Sequence, residues 1–154
     1  MLYFAYGSNM DWKQIKKRCP SARFFCLAIL KDQIVAFTRE STNRGCGVAD
    51  IVPDEGHDVW GVVYQIDERD VGRLDNCEGY MPGRAKNGYL REERHVYEDG
   101  DRNTPLLVST YIAVREDNPP PPSSAYINQL VAGARFWHLP EDYILELEEV
   151  ETTA

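Results

Sequence analysis

Two short stretches carry the residue types that could do chemistry in this chain. The first is Tyr6-Gly7-Ser8-Asn9, reached from the apolar run Leu2-Tyr3-Phe4-Ala5 and followed by Met10-Asp11-Trp12-Lys13. It reads as a strand breaking into a helix, with Gly7 free to adopt unusual backbone angles and Ser8 or Asn9 placed to cap the helix. Such a junction aims N–H groups, at the positive end of a helix dipole, at one point. That point suits a carboxylate or a developing oxyanion. The second stretch is Glu78-Gly79, where a short helix gives way to a glycine-bearing loop, and catalytic groups favour such edges. Each stretch by itself also fits a plain structural role, a turn in one case and a helix end in the other.

Other catalytic constellations are missing from the sequence. Ser8 does not sit in a Gly-x-Ser-x-Gly elbow, and no glycine loop with a lysine is set to cradle phosphate. His57, His95 and His138 lack metal-ligand spacing, and Cys19, Cys26, Cys46 and Cys77 form no C-x-x-C pair. Neither a zinc site nor a redox dithiol is indicated, which leaves a carboxylate, that of Glu78, as the best candidate acid or base.

The positioning elements follow from periodicity and breakers. A first helix runs to the break at Pro20, and Lys13, Lys16, Lys17 and Arg18 read as its solvent face. Residues 24–30 and 33–37 read as two paired strands separated by Lys31-Asp32, with 45–52 and 59–66 as further strands. Asp67 is set to cap a helix from Glu68 to about Asn76, with Val71 and Leu74 inward. Gly79, Pro82, Gly83 and Gly88 mark a loop, after which residues 89–97 and 106–114 are strands joined through the turn Glu98-Asp99-Gly100-Asp101. Asn118-Pro119-Pro120-Pro121-Pro122 is a stiff extended crossing. Ser123 or Ser124 then caps a helix with an apolar stripe of Tyr126, Ile127, Leu130, Val131 and Ala134, and Pro140 opens a last helix to about Glu149. Residues 151–154 are expected to fray.

The 154 residues suit one domain, residues 1–154, with a core of its own. An apolar share of 43% and a charged share of 27% are those of a soluble globular chain, and a net charge of −8 argues against nucleic acid as partner. No stretch is long and apolar enough to span a bilayer, so a cytoplasmic protein with no membrane partner is expected. Strands and helices do not alternate as a doubly wound sheet requires, which predicts an α+β domain around a mixed or curled sheet of about six strands.

Taken in order along the chain, several motifs resemble the γ-glutamylcyclotransferase (AIG2-like) family. They are Tyr3-Phe4-Ala5-Tyr6-Gly7-Ser8-Asn9-Met10, Trp60-Gly61-Val62-Val63-Tyr64 and Leu74-Asp75-x-x-Glu78-Gly79. Pro20-Ser21-Ala22-Arg23-Phe24-Phe25-Cys26, Ser109-Thr110-Tyr111, Ser124-x-Tyr126, Gly133-Ala134, Leu139-Pro140 and Tyr143 extend the likeness over nearly the whole chain, toward members that act on γ-glutamyl amino acids. The resemblance implies a small mixed β-barrel flanked by helices, a small-molecule γ-glutamyl substrate and no cofactor. It also implies cyclisation to 5-oxoproline with release of an amino acid or amine. Glu78 corresponds to the acid/base; Tyr6, Gly7, Ser8 and Asn9 correspond to the substrate-holding loop, and Tyr111 to a tyrosine near the cavity. Such chemistry calls for a Glu78 pKa above the ordinary value, from burial near Leu74, Tyr80 and Tyr111.

Asn76 and Cys77 occupy variable positions, and the loop 80–88 departs from the family pattern, so leaving-group preference is expected to be written in that loop. A γ-glutamylamine or isopeptide-derived substrate, and a non-catalytic binding protein of the same fold, are the alternatives. A homodimer fits general frequencies.

Overall fold

The two longest strands form one hairpin that carries most of the barrel wall. In the computed structural model, which describes residues 1–99, 101 and 103–153, β1 (Leu2–Ala5) leads through a 3₁₀ turn (Ser8–Met10) into α1 (Trp12–Arg18). The hairpin strands β2 (Arg23–Ser41) and β3 (Cys46–Gln65) follow, then α2 (Glu68–Cys77), β4 (Tyr89–Glu98), β5 (Pro105–Ala113), α3 (Ser124–Phe136) and α4 (Glu141–Glu148). The strands close a barrel in the order β1-β3-β2-β4-β5, antiparallel except where β5 meets β1 in parallel at Tyr3 and Ser109. The architecture is α+β, as expected.

Five strands replace the expected six or so because two apparent turns are interruptions within continuous strands. Residues 24–30 and 33–37 both belong to β2 and pair with β3, not with each other. The ladder steps from Lys31 opposite Asp58 to Gln33 opposite Pro53. Asp32, at φ 58°, bulges out and its Oδ1 accepts from the Gly56 N–H at 3.0 Å, with Gly56 itself at φ 87°. Polar residues at a bulge look like a turn in sequence, yet the pairing resumes beyond them.

The caps differ from expectation in two places. Asp11, not Ser8 or Asn9, caps α1 by accepting from the Lys13 N–H at 3.1 Å. Asp67 precedes α2 without a side-chain capping bond and pairs with Arg69 at 3.4 Å. Ser123 caps α3, accepting from the Tyr126 N–H at 3.1 Å. The tail is tied back through Thr153, whose N–H donates to Pro122 O at 2.9 Å and which bridges Ser123. Gly100 of the expected turn and Ala154 lie outside the described residues.

Phe4, Val62, Val63 and Tyr64 fill the barrel side of the core, and Met10, Ile15, Leu74, Leu130 and Ile144 bring the helices onto it. Helix α3 crosses the 3₁₀ turn at Gly133, where a Cβ would meet Met10 C at 2.8 Å and Asp11 N at 3.0 Å. That close approach holds the turn against the barrel end. Among the described residues no helix is long and apolar enough to cross a membrane.

Candidate active site

Strand β1 delivers Gly7 to the barrel rim, where its backbone takes φ −115°, ψ −138° and a Cβ would come within 3.3 Å of Ala49 Cβ. The chain then tightens: Met10 and Asp11 N–H return to the Gly7 and Ser8 carbonyls, each at 3.0 Å. Among the described residues the Ser8 and Asn9 N–H groups, which precede the first closed turn, have no acceptor within the chain. Asn9 is buried and fixed on every side. Its carbonyl accepts from Tyr64 Oη at 2.8 Å, its Oδ1 from Gln14 Nε2 at 2.8 Å and Arg18 Nη1 at 3.1 Å, and its Nδ2 donates to Tyr3 Oη at 3.0 Å.

The Asn9 Nδ2 makes a second bond, to Glu78 Oε1 at 3.1 Å. Glu78 ends α2: its N–H donates to Leu74 O at 3.0 Å and Asp75 O at 3.1 Å, and Gly79 at φ 66° turns the chain away. One turn earlier, Asp75 moors the helix to the barrel, accepting from Tyr111 Oη on β5 at 2.6 Å and from Arg91 Nη1 on β4 at 3.1 Å. The Glu78 side chain is 16% exposed. Burial pushes its carboxyl up from 4.5 to about 7, against the pull of the Arg18 guanidinium 3.9 Å away and of Arg44. Tyr80, two residues on, lines a separate depression beside Arg91 and is not among the residues lining the cavity at Glu78.

Between these two walls lies a cavity of about 430 Å³. All of the residues singled out in sequence line it: Tyr6, Gly7, Ser8, Asn9, Glu78 and Tyr111. Two of them have their polar ends engaged elsewhere. Tyr6 Oη donates to the Tyr111 carbonyl and Tyr111 Oη to Asp75, so both present ring surface. Burial raises both phenol pKa values further above their ordinary range.

Two expectations are corrected here. Arg18 does not lie on a solvent face with the lysines but reaches back to Asn9 and Glu78. Helical spacing carried that signal, because residues 14 and 18 flank the buried Ile15 and share a side of α1. The loop 80–88 touches the cavity only through its neighbour Gly79 and its last residue Gly88; much of the lining comes instead from the β2–β3 hairpin tip, residues 39–44, with Tyr89 and Tyr126. Nothing local in the sequence marked Arg39 or Arg44, because the hairpin must close before its tip reaches the Gly7 turn.

Residues 58–147, more than half of the chain, match the AIG2-like family. The chain is 32% identical over 154 residues to the human gamma-glutamylcyclotransferase, covering 97% of itself and 78% of that protein, and the mouse protein gives the same values. The chain belongs to the γ-glutamylcyclotransferase family of enzymes. A solved gamma-glutamyl cyclotransferase superposes with a TM-score of 0.88 at 32% identity, covering 99% of this chain and 89% of its own, which places the mixed five-stranded barrel in the same fold.

Proposed function

We propose that the protein converts a γ-glutamyl amino acid or amine to 5-oxoproline and the free amino acid or amine. The α-amino nitrogen of the substrate attacks its own γ-carbonyl; the new N–C bond closes a five-membered lactam and the bond to the leaving nitrogen breaks. No nucleophile is needed from the protein, because attack within one molecule corresponds to effective molarities of about 10⁵ to 10⁸ M when the geometry is held. A base is needed, because an α-amino group with a pKa of about 7.7 to 8.0 is mostly protonated at neutral pH.

The single observation that carries the reading is the carboxyl of Glu78, lifted to about 7 and held by Asn9 Nδ2 on the rim of the Gly7–Asn9 turn. A pKa near the working pH lets one carboxyl accept the proton of the α-ammonium and then deliver it to the departing nitrogen. The Ser8 and Asn9 N–H groups supply donors for the substrate carboxylate or for the oxyanion at the γ-carbon. Arg18 keeps Glu78 from drifting higher, so that the ionised form is still populated at neutral pH. Release of 5-oxoproline from a panel of γ-glutamyl compounds tests the proposal. No release from any of them refutes it and favours a binding protein.

A further inference from the structure

The geometry points to Arg44 as a substrate-binding residue that grips a carboxylate of the γ-glutamyl compound. This rests on the cyclotransferase reading and adds a recognition element from the hairpin tip, a part of the molecule outside the motifs discussed so far. Three arginines line the cavity: Arg18, Arg39 and Arg44. Arg18 lies 3.9 Å from Glu78, and Arg39 lies 3.8 Å from Glu116. Among the described residues Arg44 alone of the three has no carboxylate within ion-pair distance. In a chain with 25 acidic and 17 basic residues, a guanidinium that lines a cavity, acts on Glu78 only at a distance and forms no ion pair among the described residues is an arrangement in need of a ligand.

Arg44 is also held in place. Its Nη1 donates to Gln129 Oε1 at 2.9 Å, its Nη2 to Gln14 Oε1 at 3.1 Å, and its guanidinium carbon sits 4.9 Å from the centre of the Tyr126 ring. All three partners are neutral, so they orient the group without cancelling its charge. The two glutamines are locked in turn, since Gln129 Nε2 donates to Asp11 Oδ2 at 3.0 Å and to Gln14 Oε1 at 2.9 Å. Gln14 Nε2 donates to Ser8 Oγ and Asn9 Oδ1, both at 2.8 Å. A continuous chain of hydrogen bonds therefore runs from the guanidinium to the Ser8–Asn9 turn that lines the cavity. A preorganised guanidinium loses little side-chain freedom on binding and retains N–H groups in a planar fork that matches a carboxylate.

A γ-glutamyl amino acid offers two carboxylates, the one on the glutamyl α-carbon and the one on the leaving amino acid; a γ-glutamyl alkylamine keeps only the first. Wild type, Arg44→Gln and Arg44→Lys are compared with γ-glutamylalanine and γ-glutamylethylamide by steady-state kinetics. Calorimetric Kd is measured in a Glu78→Gln background, where turnover does not interfere. Arg44→Gln is expected to raise KM and Kd for γ-glutamylalanine by about tenfold or more, the worth of a hydrogen bond to a charged group, with kcat changed far less and Arg44→Lys in between. An equal loss with γ-glutamylethylamide identifies the glutamyl carboxylate, and a loss confined to γ-glutamylalanine identifies that of the leaving group. KM and Kd within about twofold of the parent for both compounds overturn the inference. If wild type binds γ-glutamylalanine but releases no 5-oxoproline from it, from γ-glutamylethylamide or from any compound of the wider panel, the cyclotransferase reading fails alone, and the Kd comparison still decides Arg44. Absence of binding by wild type overturns both.

Discussion

Glu78→Gln separates two consequences of burying one carboxyl. The substitution keeps shape and the Oε1 acceptor for Asn9, and removes the charge and the titration. The folded-state pKa is raised from 4.5 to about 7, so the native state holds the proton more tightly than the unfolded chain. Its contribution to stability is therefore present in full below about 4.5 and is lost as the pH rises through about 7. At about 1.4 kcal/mol per pKa unit, wild type gives up roughly 2 to 3 kcal/mol between pH 5 and pH 8, and the variant does not. For a chain of this size that corresponds to a difference in Tm opening by about 5 to 10 °C over the same interval, in favour of the variant at pH 8. Thermal or urea unfolding of both proteins at pH 5 and pH 8 reads it directly. In parallel, 5-oxoproline release by the variant should fall by about 10² to 10⁴, the range of general acid–base catalysis. A stability gap that is the same at both pH values refutes the desolvated carboxyl. Activity within a few-fold of wild type removes Glu78 from the mechanism.

Arg18→Met deletes the larger of the two influences that lower the Glu78 pKa, so the acidic limb of the kcat/KM profile should move to higher pH; an unchanged or downward-shifted limb contradicts the ion pair. Gly133→Ala drives a methyl group into the backbone of Met10 and Asp11, and should cost about 1 to 3 kcal/mol in urea unfolding while also lowering activity through the displaced Ser8–Met10 turn. Tyr111→Phe removes the donor to Asp75; it should destabilise by about 1 kcal/mol and lower kcat more than it raises KM, because Asp75 moors the helix that ends at Glu78. A rise in KM with kcat preserved would instead assign Tyr111 to direct ligand contact.

Local signals set the termini of the elements that carry the site. Gly7 and Gly79 each mark where a strand or helix must break, Ser123 begins α3, and Leu74, one turn before Glu78, is buried as its place on α2 requires. These depend on neighbours within a few positions, which is the range over which backbone preference and helical spacing act. The bulge at Asp32 and Gly56 shows where that range ends: the same polar residues suit a turn or an interrupted ladder, and only pairing with a partner strand chooses between them.

The sequence by itself determined a lone candidate carboxyl, the Gly7–Asn9 turn and an α+β domain around a mixed or curled sheet with helices at its front, middle and end, and the family resemblance added the barrel. Tertiary structure alone decided the inward turn of Arg18, the hairpin tip that brings Arg44 over the cavity, and the roughly seventy-residue closure that sets Asn9 against Glu78. The elevated pKa of Glu78 belongs to the second group, because it comes from desolvation by segments far away in the chain and opposition by guanidinium groups on α1 and the hairpin. Charge and solvent exclusion act through space, and a linear order of residues does not contain those distances until the barrel has closed.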